Sequence, residues 1–143
     1  MPSLDNMMLR QIIMDHYENP RNHELVEDDS YKKVNMDSET CIDNIDIQAK
    51  IENGVIEDIR FDGEACAICT SSTSIMTELL IGKTIDEARV IIENYMNMIF
   101  EKDYDPEILE EAIAFYNTHK QANRIKCATL GWKGITQLID ESE

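Results

Sequence analysis

Asn53-Gly54 is the residue pair that most limits how this chain can fold. Asn-Gly adopts the two positive φ values of a tight two-residue turn with little strain, and here it separates two runs of period-two alternation. Before it, Cys41, Asp43, Ile45, Ile47, Ala49 and Ile51 share one parity and therefore one face of a strand. After it, Val55 to Phe61 alternates again and ends near Gly63. The expectation is an antiparallel hairpin, joined by a weaker strand over Tyr31 to Met36, giving a sheet of about three strands. Antiparallel return carries a long-range consequence. The end of the second hairpin strand lies beside the beginning of the first, so Gly63 and Cys41 fall at the same edge of the sheet.

The flanking sequence reads as helical. Ser3 can cap a helix from about Leu4 to Tyr17, with Leu4, Met7, Met8, Ile12 and Ile13 as its apolar stripe and Asn19-Pro20 as its stop. Arg21 to Ser30 is polar and acidic and reads as a loop. A helix begins near Cys66 and stops at Gly82. Thr84-Ile-Asp-Glu87 is a capping box that opens a helix to about Phe100. Asp105-Pro106 supplies the N-cap and first position of another, to about His119. A last helix runs from about Asn123 to Ile139, with Ile125, Leu130, Ile135, Leu138 and Ile139 on its apolar face despite Gly131 and Gly134. Strands followed by helices, without βαβ alternation, indicate an α+β fold, read as a single domain over residues 1–143.

The formal net charge of −16 repels nucleic acid and anionic lipid, and argues against both as partners. It suits solubility, or steering towards a basic protein partner. No apolar run reaches the ~18 residues of a membrane span. The first residues, Met1-Pro-Ser-Leu-Asp-Asn6, lack the basic and apolar regions of a signal peptide, so the expected location is cytoplasmic. In that reducing setting, four cysteines point to metal binding, catalysis or packing rather than to a disulfide scaffold.

Their arrangement narrows the choice. In Gly63-Glu-Ala-Cys66-Ala-Ile-Cys69, a strand ends and a helix of small hydroxyl-bearing residues begins. Cys66 is therefore placed near a helix N-terminus, where unpaired N–H groups and the helix dipole favour the thiolate. Cys41 and Asp43, two apart on one strand face, can address a common ion from one side. The hairpin brings Cys66 to the same edge, so Cys41, Asp43 and Cys66 converge. Cys127 lies in the first turns of the last helix, and nothing in the sequence places it beside the others. If it joins them, three thiolates and a carboxylate suit tetrahedral zinc or iron. Cys66-Ala-Ile-Cys69 is also a CxxC, readable as a zinc half-site, a redox pair, or a ligand followed by a packed cysteine. His16 and His23 flank the Asn-Pro stop, without a second metal ligand close in sequence.

Taken together, these segments resemble the IscU/NifU-like iron–sulfur cluster assembly family, and its SufU-type branch in particular. Asp15-His-Tyr-Glu-Asn-Pro-Arg-Asn22 is similar to the family's N-terminal segment. Cys41-Ile-Asp43 resembles its first motif, Gly63-Glu-Ala-Cys66 with the Ser/Thr-rich helix its second, and Arg124-Ile-Lys-Cys127-Ala-Thr-Leu-Gly-Trp132 its third. Lys126 stands where IscU proteins carry a histidine ligand, and the stretch between the second and third motifs is long, as in SufU. Two positions depart from the pattern: Cys69, where the family usually has a small residue such as serine, and Ile42, where glycine is common.

The resemblance implies that Cys41, Asp43, Cys66 and Cys127 bind Zn2+, or alternatively iron as a [2Fe–2S] cluster. It implies a cysteine desulfurase of SufS type as partner, with downstream iron–sulfur assembly proteins beyond it. The implied activity is that of a zinc-dependent sulfurtransferase, with Cys41 as persulfide acceptor, Cys127 as the runner-up and Arg124 as an accompanying catalytic residue. The alternatives are a scaffold for a transient cluster, a non-catalytic zinc-binding interaction module, and, last, a CxxC oxidoreductase.

Overall fold

The computed structural model describes residues 6–38 and 42–142, apart from the side chains of Asn6, His119, Ala122 and Asn123. Helix α1 spans Asn6–Glu18, and the expected cap at Ser3 lies outside the described residues. Strands β1 (Lys32–Asp37), β2 (Asn44–Glu52) and β3 (Val55–Glu64) follow. They form one antiparallel sheet in the order β1-β2-β3, so the small three-stranded sheet is as expected. The β2–β3 turn has φ of 54° at Asn53 and 75° at Gly54, the pair of positive values that a type I′ hairpin needs.

Register places Ile45 opposite Met36 and Gly63, and Ile47 opposite Val34 and Phe61. Ile45, Ile47, Ala49, Ile59 and Phe61 are buried on one face of the sheet. Helix α4 (Ala122–Ser142) lies against that face. A Cβ at Gly134 would come within 2.5 Å of Ile47 Cδ1, so this glycine is what allows the helix to approach. On the opposite face the Arg21–Ser30 loop covers Gln48, whose amide accepts the Val26 N–H and donates to the Val26 carbonyl, both at 2.8 Å.

Helix α2 (Ala67–Leu80) runs through the centre of the molecule. Every residue from Cys69 to Leu80 except Glu78 is buried. Its Ser and Thr side chains are small enough for close helix packing, and several satisfy themselves on nearby carbonyls, as Ser71 Oγ does on Ala67 O at 2.7 Å. Helix α1 packs on one side of it and α4 on another. Helix α3 (Ile85–Ile99) opens with the Thr84–Glu87 capping box in both directions.

The segment after Asp105 departs from expectation. Asp105 caps it and Pro106 starts it, as the sequence predicts, but it winds as a 3-10 helix over Pro106–Phe115 with a sharp break at Glu110 (φ 46°, ψ −123°). A separate 3-10 turn covers Thr118–Lys120. The positive φ at Glu110 interrupts the helix, and beyond that break Ala112, Ile113, Ala114 and Phe115 are all buried.

Candidate metal centre

Cys66 is the N-cap of α2. Its Sγ accepts the Cys69 N–H at 3.4 Å, one of the orphan donors of the helix start. The strand before it carries Gly63 (φ 137°) one residue from its end, where any Cβ would collide with Asn44 O at 2.3 Å. Only glycine permits this close β2–β3 approach, and it brings the β3–α2 junction against the start of β2.

At that start stands Asp43. The sequence places it on the strand face; in the structure it lies one residue before β2 and is fully buried. Asp43 Oδ1 accepts the Cys66 backbone N–H at 2.7 Å, and Oδ2 lies 3.8 Å from Cys66 Sγ. The Asp43 carbonyl in turn accepts the Ser38 N–H at 2.8 Å. The convergence inferred from antiparallel return is therefore present for Asp43 and Cys66. Cys41 lies outside the described residues. Ile42, the bulky departure from the family pattern, is 68% exposed.

Cys127, which sequence could not place, is brought to the same point by α4. A Cβ at Gly131 would sit 2.4 Å from Thr73 Oγ1, so α4 crosses α2 at van der Waals contact there. Ser72 Oγ donates to the Ala128 carbonyl at 2.6 Å and accepts from Trp132 Nε1 at 3.1 Å, and Tyr95 OH donates to the same carbonyl at 2.7 Å. Trp132 stacks on Tyr95 with ring centroids 3.9 Å apart. This buried network fixes the turn of α4 that carries Cys127, and burial pushes the Tyr95 hydroxyl above its ordinary pKa, so it stays a donor.

The outcome is a trio. One ligand atom from each of Asp43, Cys66 and Cys127 lies within 4.8 Å of the other two. Two buried or half-buried thiols beside a buried carboxylate repel one another when ionised, and among the described residues no cationic side chain pairs with Asp43. A divalent cation relieves that repulsion. The geometry also fits: bonds of about 2.1 and 2.3 Å to oxygen and sulfur give an O···S edge of about 3.6 Å in a tetrahedron, close to the 3.8 Å found between Asp43 and Cys66.

Cys69 is fully buried among apolar neighbours and is not one of the trio. Arg124 is exposed on the first turn of α4 and lines a cavity of about 270 Å³ with Leu9, Ile68, Phe115 and Lys120. His23 pairs with Asp62 at 3.3 Å and packs on Phe61. Sequence reasoning missed a second group, His16 with Glu78 and Glu111, because its members come from three separate elements with no spacing signal.

The sequence pattern of the NifU-like N-terminal domain matches residues 8–141. The chain belongs to that family. It is 38% identical to the zinc-dependent sulfurtransferase SufU of Bacillus subtilis over 95% of this chain and 92% of that protein. It is 32% identical to the iron–sulfur cluster assembly scaffold protein IscU of Streptococcus pyogenes, over 96% of this chain and 86% of the relative. Among solved structures, SufU of Fervidobacterium islandicum, a proposed cluster assembly scaffold for the SUF system, superposes with a TM-score of 0.80 at 31% identity, covering 88% of this chain and 92% of the other. The fold of this NifU-like domain is thus the one the sequence motifs imply. Among the described residues, no helix is long and apolar enough to cross a membrane.

Proposed function

We propose that this NifU-like domain works in iron–sulfur cluster assembly as a zinc-dependent sulfurtransferase that accepts persulfide sulfur from a cysteine desulfurase. The observation that carries the proposal is the meeting of Asp43, Cys66 and Cys127 at one point. The likeness to SufU adds weight, as does Lys126 in place of the histidine ligand of IscU.

In this reading Cys41, Asp43, Cys66 and Cys127 hold the ion. When bound, zinc would hold these thiols deprotonated and lower their nucleophilicity. Cys41 is the acceptor. Its thiolate attacks the terminal sulfur of the partner's persulfide, a new S–S bond forms, the partner's S–S bond breaks, and the desulfurase thiolate leaves. Electrons balance without an external oxidant or reductant. Asp43 holds Cys66 in place through its N–H while contributing charge to the site. In the same reading Arg124, exposed on the first turn of α4, meets a negatively charged group of the approaching partner. The partner is of SufS type, and its product passes to downstream assembly proteins.

The test joins metal analysis to a desulfurase assay. Zinc content falls in Cys41→Ser, Cys66→Ser and Cys127→Ser but not in Cys69→Ser. Adding the wild-type chain raises alanine production by the desulfurase, and mass spectrometry finds one added sulfur on Cys41. No rise in alanine overturns the sulfurtransferase reading in favour of a binding module. The second reading, a scaffold for a [2Fe–2S] cluster, is favoured by the IscU likeness. Visible absorbance on anaerobic reconstitution, followed by cluster transfer to an apoprotein, establishes it instead.

A further inference from the structure

Away from the thiols, one buried side chain has an unmatched polar atom. His16, near the end of α1, is 0% exposed. Its Nδ1 meets Ser74 Oγ at 2.8 Å, and the same hydroxyl oxygen accepts the Arg21 N–H at 2.9 Å. Its Nε2 is buried with no hydrogen-bond partner. Leaving such an atom unsatisfied is costly, and it faces two carboxylates. Glu111 Oε2 stands 3.5 Å away, too long for a sound hydrogen bond. Glu78, one turn beyond Ser74 on α2, completes a group whose ligand atoms all lie within 4.8 Å of one another. Glu78 and Glu111 are each about half exposed, at 48% and 52%, and line a cavity of about 80 Å³ with Ile75, Leu79 and Glu110. The buried nitrogen therefore belongs to a group whose two carboxylates line an open cavity.

We propose that His16 Nε2, Glu78 and Glu111 form a second divalent-cation site, taking a first-row transition ion through one imidazole and two carboxylates. Ser74 supports this use of the ring. In the Nδ1–H tautomer, which the proposed site requires, the ring donates to Ser74 Oγ and the Nε2 lone pair is directed at the carboxylates, the arrangement found behind metal-binding histidines. Bonds of about 2.1 Å give a ligand–ligand edge of about 3.4 Å in a tetrahedron. His16 and Glu111 already stand at 3.5 Å, and rotation of the half-exposed Glu78 closes the remainder. Arg21 offsets only part of the negative charge: its Nε pairs with Glu78 at 3.5 Å, but its Nη2 is shared with Asp15 at 2.7 Å and its Nη1 with Asn19 O at 3.0 Å, so one guanidinium faces three carboxylates. The nitrogen–oxygen donor set differs from the sulfur-rich centre at Cys66, so the two sites sort ions by softness.

Cobalt(II) distinguishes the sites in the full chain. Bound to thiolate it gives an intense sulfur-to-metal charge-transfer band, whereas bound to nitrogen and oxygen it gives only weak visible bands. Wild type should bind two equivalents, one with charge-transfer absorbance and one without. Glu78→Gln/Glu111→Gln, which alters half-exposed positions and should keep the fold by circular dichroism, loses the second equivalent or binds it at least tenfold more weakly, with the charge-transfer band intact. Cys66→Ser/Cys127→Ser gives the reverse pattern, so the result stands whatever becomes of the sulfurtransferase reading. A wild-type stoichiometry without the second equivalent, or a second equivalent undiminished in the double Gln variant, overturns the proposal. So does a Glu111→Gln variant that melts lower while wild type binds no second ion, since Glu111 would then serve only as an ion-pair partner of protonated His16.

Discussion

Asp43 has two roles that two substitutions pull apart. Oδ1 accepts the Cys66 N–H, and Oδ2 faces the Cys66 sulfur at 3.8 Å. Asp43→Asn keeps a carbonyl oxygen for the N–H but puts an NH2 group where the second oxygen stood, a donor that cannot ligate a metal. Asp43→Ala removes both. A hydrogen bond to a carboxylate contributes about 1.5–3 kcal/mol, and in a domain of this size about 1 kcal/mol moves Tm by roughly 4 °C. With chelator present, Asp43→Ala should therefore melt about 6–12 °C below wild type. Asp43→Asn should melt no lower than wild type under the same conditions, because it also removes a buried carboxylate that has no cationic partner among the described residues.

Zinc then reverses the ranking. At one hundred times its Kd, a ligand that binds only the folded state adds about 2.7 kcal/mol, or roughly 10 °C in Tm. Wild type should gain that increment. Both variants should lose at least about half of it, with zinc bound at least tenfold more weakly, about 1.4 kcal/mol. Thermal melts with chelator and with excess zinc, beside direct zinc titration, measure every quantity. An equal zinc increment in wild type and Asp43→Asn refutes ligation by Asp43. An unchanged metal-free Tm in Asp43→Ala refutes its role in holding Cys66.

Three further outcomes follow from the packing around the site. Gly131→Ala gains about 1 kcal/mol of helix propensity but drives a Cβ to 2.4 Å from Thr73 Oγ1, an overpacking cost of about 1–3 kcal/mol. The net loss of Tm should be accompanied by weaker zinc binding through displaced Cys127, and Thr73→Ala in the same chain should restore both. Ser72→Ala strands the Trp132 indole N–H in the core, at about 1–3 kcal/mol; since Trp132 is the sole tryptophan, its near-ultraviolet dichroism reports the loss directly. Tyr31 donates to Asp58, which with burial pushes its phenol up to about 12. A folded-state value above the unfolded one means the contribution is complete below about pH 10 and lost as pH rises through about 12. Tyr31→Phe should therefore lower stability at neutral pH and flatten this alkaline fall in the denaturation midpoint.

What could be read from the sequence was local, or followed from local structure by topology. The Asn53-Gly54 turn, the Thr84 box and the Asp105-Pro106 start are each settled within a few residues, and all stand as expected. Asp43 meets Cys66 because an antiparallel hairpin leaves no other place for its ends. Cys127 was not legible, because its position depends on the contact between Gly131 and Thr73 and on hydroxyls reaching the Ala128 carbonyl from two other helices. The residues after Asp105 misled because their capping signals are helical while nothing local marks the break at Glu110. His16 stood out in the sequence only as a histidine without a nearby second ligand, since both carboxylates that face it come from distant segments.

Under the proposed sulfurtransferase function, the same contacts bear on which cysteine carries sulfur. A transfer needs a ligand that can leave the metal and reach a partner. Cys66 is tied to the fold twice: its N–H bonds to Asp43, and its sulfur caps α2. Cys127 precedes Ala128, whose carbonyl is clamped by Ser72 and Tyr95 in the buried network beneath Trp132. Moving either sulfur several ångströms disturbs α2 or α4, and each is part of the core. The runner-up acceptor is thus set against the rigidity that positions it so well as a ligand. If Cys127 did carry the persulfide, loosening its helix through Ser72→Ala would speed transfer. If Cys41 carries it, the same substitution slows transfer by spoiling the site, and single-turnover sulfur loading of the two proteins decides between them.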